Sequence, residues 1–312
     1  MTNTEKNLRP KVAILMATYN GYVWIDAQIK SILFQQDVEV TLFISDDYSH
    51  DGTYSYLKAQ CRNYPQIQIL PRSKRFGNAA QNFFHLIQSV NFEGFDYASL
   101  SDQDDIWVGD RLSRAIDVMK MHGAPCYSSD VLAFWENGKT KTIKKSQAQT
   151  EFDYLFESAG PGCTFVLIAE SMGAFKSHIN QSKNSVDEIL HHDWLVYAFM
   201  RARQFTWVID DYLGVHYRQH SSNEMGVHVG FKASLKRARY ILSGAWLSQV
   251  RMVANFCGQP QKKFIQRYLR LKHERFFSLA FKTHLLRRRS RDVFVLRFIF
   301  LGLALKKLLT KA

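Results

Sequence analysis

At 312 residues the chain is long enough for one large domain or for a domain with an appendage. Its 46% hydrophobic and 22% charged residues exclude a disordered chain, and the polar stretch Met1 to Pro10 does not read as a leader peptide. The net charge of +13 divides unevenly, with 21 Lys and Arg against 26 Asp and Glu in residues 1–229, but 20 against only Glu274 and Asp292 in residues 230–312.

In chain order, Lys11 to Ala17 is a continuous apolar run, the pattern of a strand covered on both faces. Trp24 to Phe34 spaces Ile25, Ile29, Ile32 and Leu33 at helical intervals, and Val38 to Ser45 reads as a second strand. Asp51-Gly52-Thr53 can open a helix, Ile67 to Leu70 is a short strand ended by Pro71, and Asn78 to Val90 is helical with Phe83, Phe84, Leu86 and Ile87 as its buried stripe. Phe95 to Leu100 is a fourth strand that runs into an acidic loop. Strands alternating with helices imply parallel βαβ units in a doubly wound sheet. Glu136 to Glu151 reads as an exposed loop or hairpin. It is followed by an apolar segment at Thr164 to Ala169, a helix near His192 to Arg203 and a strand near Phe205 to Ile209. From about Gly230 the pattern is basic and helical, with Ile265, Leu269, Phe276 and Leu279 on one face and Lys263, Arg267 and Arg270 on another. Cys61, Cys126, Cys163 and Cys257 form no CxxC pair, so neither a zinc centre nor a disulfide framework is expected, and the cytosol is the expected compartment.

Ligands of such sheets bind at the carboxyl ends of the strands. Three of those ends are polar: Ala17 to Gly21, Ser45 to Thr53, and Ser101 to Trp107. Asp102 and Asp104 are two apart, so a tight loop can turn both toward one ion, and carboxylate oxygens suit Mg²⁺ or Mn²⁺ bridging to phosphates. Capping and turn formation account for Asp51 and Asp110, but one cap does not need the three acids at Asp102, Asp104 and Asp105.

ATYNG, SDDYSHDGT and SDQDDIW, in this order, resemble glycosyltransferase family 2. HHDWL (His191 to Leu195) and YRQHSSNEMG (Tyr217 to Gly226) are similar to its bacterial rhamnosyltransferase-like subgroup. The resemblance covers Lys11 to Gly226 and implies a GT-A fold: a doubly wound, mostly parallel sheet with helices on both faces. It implies an inverting transfer from a nucleotide-diphosphate sugar, dTDP-rhamnose first and a UDP-hexose second, to a hydroxyl of a growing, lipid-linked surface glycan. It also assigns roles. Ala17, Thr18 and Tyr19 line the nucleotide pocket, and Asp47 meets the base. Asp102 and Asp104 form the metal-binding DxD for Mg²⁺ or Mn²⁺, with Asp104 the direct ligand and Asp102 also beside the nucleotide. Asp193 is the catalytic base. Arg218 or His220 meets the phosphates, and His220 is a further candidate metal ligand. Taken alone, Asp193 also reads as a helix cap and His220 as a surface histidine.

Some residues depart from the family pattern. His192-Asp193 stands where many members have Glu-Asp, and Arg75-Phe76-Gly77 replaces an Asn-x-Gly step, leaving Arg75 as a phosphate or base contact or a solvated side chain. Pro161 to Thr164 resembles a turn near the acceptor, with Cys163 as packing. The QxxRW signature of processive synthases is absent, which favours addition of one or a few sugars. A sugar nucleotidyltransferase would begin with a Gly-rich loop carrying Arg and Lys, which Ala17 to Gly21 lacks. A non-catalytic body would not need Asp102, Asp104 and Asp193 together.

Residues 1–229 are thus expected to form the catalytic domain and residues 230–312 a basic helical region. Arg287-Arg288-Arg289-Ser290-Arg291 precedes thirteen largely apolar residues, Val293 to Leu305, interrupted by Arg297. A spanning helix needs roughly twenty apolar residues. This stretch is therefore expected to lie in the headgroup region of an anionic membrane, placing the chain on the inner face of the cell membrane, or else to pack on the body. No nucleic-acid-binding motif accompanies the charge.

Overall fold

Strand β1 (Lys11–Thr18) sends alternate side chains to opposite sides of the sheet. Val12, Ile14 and Met16 enter one core, and Ala13, Leu15 and Ala17 enter the other. That double burial is why the run is apolar throughout. The structure is a computed structural model that describes residues 9–181, 186–220, 240–241, 243–258, 263 and 273–309.

A seven-stranded sheet forms the frame. Its other strands are β2 (Glu39–Asp46), β3 (Ile67–Ile69), β4 (Tyr97–Ser101), β6 (Cys126–Ser129), β9 (Val166–Ile168) and β10 (Trp207–Asp210), and the order across it is β10-β6-β9-β4-β1-β2-β3. All neighbours are parallel except β9, which runs antiparallel to β4 and to β6. Helices α1 (Ile25–Leu33) and α4 (Arg111–His122) cover the first core, with α2 (Thr53–Asn63) contributing Leu57. Helices α3 (Ala79–Ser89), α5 (Ala169–Gln181) and α6 (His192–Ala202) cover the second. A smaller sheet combines β5 (Ile106–Trp107), β11 (Val215–Gln219), β7 (Val131–Trp135) and β8 (Thr140–Ile143), in the order β5-β11-β7-β8. Of the two readings for Glu136 to Glu151, the hairpin holds at its start: β7 and β8 are antiparallel, and Gly138 has φ 79° in their turn.

The tail shares the second core. Helices α7 (Ala245–Cys257), α8 (His273–Ala280) and α9 (Ser290–Leu309) bury Trp246, Val250, Phe276, Leu279, Leu296, Phe300 and Leu303 in the same cluster as α3 and α6. Arg297, which interrupts the apolar run, donates through Nε to the carbonyl of Ala280 at 3.2 Å and so satisfies the end of α8. The outward stripe of α9 is also apolar: Phe294, Val295, Phe298 and Leu305 are exposed, as are Phe277 and Phe281 of α8 and its end. No helix among the described residues is long and apolar enough to cross a membrane. The boundary near residue 230, Ile265 and Leu269 of the expected apolar face, Arg267 and Arg270 of the expected basic face, and Ser221 to Gly226 lie outside the described residues.

The two faces of α9 make different predictions. Phe300 is fully buried and stacks on Phe276 with centroids 6.1 Å apart, so Phe300→Ala is expected to lower unfolding free energy by about 3–5 kcal/mol in a urea titration. Phe298→Ala, on the exposed stripe, is expected to stay within about 0.5 kcal/mol.

The cysteines are free: Cys126, Cys163 and Cys257 are buried, and Cys61 on α2 is half-buried.

Candidate functional site

The ends of β1, β2 and β4 are locked to one another. After β1 the chain turns through Asn20, whose backbone is left-handed at φ 48°, and Asn20 N–H donates to Ser49 Oγ at 2.8 Å. Asn20 Oδ1 accepts from His50 N–H at 3.0 Å, joining the first two loops from both sides. Gln103, in the acidic loop, clamps Tyr19: its Oε1 accepts from Tyr19 N–H and its Nε2 donates to Tyr19 O, both at 2.9 Å. A Cβ on Gly21 would lie 2.2 Å from that Oε1, so only glycine admits the clamp.

Asp46 and Asp47 differ in role. Asp46 is buried, pairs with Arg72 and accepts from Thr18 Oγ1 at 3.2 Å and Ser49 N–H at 3.0 Å, so it fixes the loop. Asp47 accepts from the backbone N–H of Phe76 and, at 2.8 Å, of Gly77. The expected base contact thus also orders the segment that replaces Asn-x-Gly. Arg75, from the same segment, donates to Tyr19 Oη at 2.8 Å and is not merely solvated.

Pairing of β5 with β11, Trp107 opposite Val215, brings a distant segment against the acidic loop. His220 Nε2 lies 2.7 Å from Asp104 Oδ2. Arg218 Nε donates to Asp104 O at 2.8 Å, and Arg218 N–H donates to Asp105 Oδ1 at 3.1 Å. Asp104, Arg218 and His220 therefore meet. The carboxylate of Asp102 comes together instead with Asp105 and Cys163, the ligand atoms of the three lying within 4.8 Å of one another. Asp105 is fully buried, and its Oδ2 has no partner. Burial first, and the neighbouring Asp104 and Asp102 second, raise its carboxyl well above the usual carboxylate range, favouring the protonated form. Asp104 and His220 offer one hard carboxylate oxygen and one imidazole nitrogen side by side, a donor pair that suits Mn²⁺ or Mg²⁺, whereas the expected third ligand, Asp102, is grouped with Asp105 and Cys163.

Asp193 lies in the first turn of α6. The residue at the cap position is His191, and its side chain makes no capping bond. Asp193 itself makes no hydrogen bond or ion pair with any described residue, so the cap reading does not account for it. Its helix is held by Trp194 Nε1 donating to Tyr154 O at 2.9 Å and by Tyr197 Oη donating to Asp153 at 2.7 Å. The turn at Gly162 presses on it: a Cβ there would meet Asp193 Cβ at 3.3 Å and His192 Nε2 at 2.5 Å. The neighbouring loop is braced from the tail. Arg288 N–H donates to Glu157 at 2.8 Å, and Arg288 Nη2 donates to Ser158 O at 2.6 Å. Asp110, for which capping seemed sufficient, is the cap residue of α4 without a capping bond, and its carboxylate accepts from Tyr212 Oη instead.

His192 stacks on Phe83 with centroids 3.9 Å apart, and its Nε2 is sealed and unpartnered. Burial lowers this imidazole from its ordinary 6.5 to about 4, so the folded state resists the proton. Its contribution to stability is therefore complete above pH 6.5 and lost as pH falls toward 4. Between pH 7 and pH 4.5 the parent chain is expected to lose on the order of 2 kcal/mol more than His192→Leu, read from paired urea titrations.

The family model for glycosyl transferase family 2 matches residues 13–172, which include all three strand ends described above. The chain belongs to glycosyl transferase family 2. This glycosyltransferase is 40% identical over 290 residues to the dTDP-rhamnosyl transferase RfbG of Shigella flexneri, covering 92% of the present chain and 100% of that protein. It is 25% identical over 162 residues to an Escherichia coli protein, UDP-Glc:alpha-D-GlcNAc-diphosphoundecaprenol beta-1,3-glucosyltransferase WfgD, covering 52% of this chain and 61% of that one. Its fold is that of S. aureus TarS 1-349, solved with UDP-GlcNAc: TM-score 0.55 at 13% identity, over 95% of this chain and 88% of that chain. The mannosyltransferase PcManGT of Pyrobaculum calidifontis, solved with GDP-Man and Mn²⁺, gives a TM-score of 0.50 at 14% identity, over 97% and 88%. The enzyme is a GT-A glycosyltransferase, as its motifs implied.

Two residues of the site carried signals that sequence reasoning passed over. Gln103 lies between Asp102 and Asp104, and Trp24 occupies a helix cap position for which it has no capping group.

Proposed function

We propose that the enzyme transfers rhamnose from dTDP-rhamnose, with inversion, to a hydroxyl of a lipid-linked glycan. The observation that carries the donor is the 40% identity to a dTDP-rhamnosyl transferase along that protein's whole length. In this reading Asp193, whose oxygens have no hydrogen bond or ion pair among the described residues, takes the acceptor hydroxyl proton while the acceptor oxygen bonds the anomeric carbon. The bond from that carbon to the β-phosphate oxygen breaks on the opposite face, and dTDP leaves with the electron pair. Ala17, Thr18 and Tyr19 hold the nucleotide, Asp47 reads the base, and Arg218 meets the diphosphate. Asp104 and His220 would hold a divalent ion, with Asp102 beside the nucleotide, and the ion would supply charge neutralisation to the diphosphate.

The acceptor is lipid-linked in this reading because a tail with 20 basic residues carries an outward aromatic stripe, Phe277, Phe281, Phe294 and Phe298. Exposed aromatics beside excess positive charge suit the headgroup region of an anionic membrane, on its cytoplasmic face.

The test is transfer and donor hydrolysis by purified enzyme. It is offered dTDP-rhamnose, UDP-glucose, UDP-galactose or UDP-GlcNAc, each with Mn²⁺, Mg²⁺ or EDTA. Release of dTDP that EDTA abolishes is the expected result. Release from a UDP-sugar alone overturns the donor, and full activity in EDTA overturns the metal.

A further inference from the structure

Trp24 stands where α1 needs a cap. Ser, Thr, Asp or Asn there would accept a hydrogen bond from the first turn, but Trp24 has no capping bond. Its indole does something else. The imidazole of His220 lies flat against it, with centroids 3.9 Å apart and planes 14° from parallel. His220 directly follows β11, and its Nε2 faces Asp104 Oδ2 at 2.7 Å. A flat neighbour narrows the turning of an imidazole about its two side-chain torsions and so favours the plane in which its nitrogen meets Asp104. The main chain that carries the indole is fixed, because the Trp24 backbone N–H donates to Gly21 O at 2.9 Å, next to the Tyr19 that Gln103 clamps.

We propose that Trp24 is the positioning residue for His220, holding the imidazole plane so that its Nε2 and the carboxylate of Asp104 converge on the divalent ion. This rests on the reading of His220 as a metal ligand. The nucleotide turn and the ion site are thereby joined at a second point, independent of Gln103. Outer partners that orient a metal-bound histidine typically tune affinity 10–100-fold.

The test measures free Mn²⁺ by electron paramagnetic resonance in the presence of dTDP, for the parent enzyme, His220→Ala, Trp24→Ala, Trp24→Leu and Trp24→Phe. His220→Ala is expected to weaken Mn²⁺ binding. Trp24→Ala and Trp24→Leu are expected to weaken it about tenfold, and Trp24→Phe, which keeps a flat ring, to recover most of the loss. Trp24→Leu keeps the bulk without the plane and serves alone where Trp24→Ala does not fold. Parent affinity in Trp24→Leu, beside a weakened His220→Ala, overturns the proposal. Parent affinity in His220→Ala overturns the metal assignment of His220 and the proposal with it.

Discussion

Asp193→Asn is expected to reduce kcat by about 10³-fold while dTDP binds as tightly as to the parent enzyme. Asparagine keeps the size of the side chain and its place in the first turn of α6, so only the capacity to accept a proton is removed. Among the described residues the carboxylate has no hydrogen-bond or ion-pair partner, and calorimetry with dTDP separates donor binding from turnover. A variant with parent turnover would remove Asp193 from the reaction. One that loses dTDP binding and activity together would place it at the donor instead.

Arg288→Met is expected to lower unfolding free energy by about 3–5 kcal/mol, because it breaks a buried ion network from one side. The Arg288 side chain is 1% exposed and lies 3.5 Å from Asp153 and 3.6 Å from Glu157, and Asp153 is itself sealed. Methionine preserves much of the volume and keeps the backbone donor to Glu157, but it takes the guanidinium donor from the carbonyl of Ser158 and the facing charge from Asp153 and Glu157. Burial already raises the Asp153 carboxyl, with Arg201 and Arg288 the main groups opposing that rise, so losing Arg288 moves it further up. Arg289→Met, one residue along and exposed, is expected to stay within about 0.5 kcal/mol in the same urea titration. Because the braced loop leads to Gly162 and so to Asp193, Arg288→Met is also expected to lower kcat more than KM changes.

The parallel half of the fold was legible because its signal is local. A strand buried on both faces must be apolar along its length, as β1 is, and its end is where polarity returns; that pairing exposed Tyr19, Asp47 and Asp104. The smaller sheet was not legible. β5 is two residues long, β11 mixes polar and aromatic residues, and their partnership spans about a hundred residues of chain. Arg218 and His220 were therefore reached only through the family resemblance, and their contact with Asp104 only through the register of β5 and β11. The tail was half legible. Its charge stood out, but period alone could not show that Leu296 and Phe300 turn inward while Phe294 and Phe298 turn outward. Nor did the run of arginines show that Arg288 faces the body, since a guanidinium is buried only where acids from another segment meet it.

The placement of the thiols makes the chain its own reporter of partial opening. Cys126 lies in the central sheet, Cys163 under the acidic loop and Cys257 at the end of α7, each sealed and each with its thiol pushed up by burial. An alkylating reagent on the native protein meets only the partly open Cys61. The other three become reactive as their surroundings part, so the order in which they label ranks the local stabilities of sheet, loop and tail seam without any engineered probe.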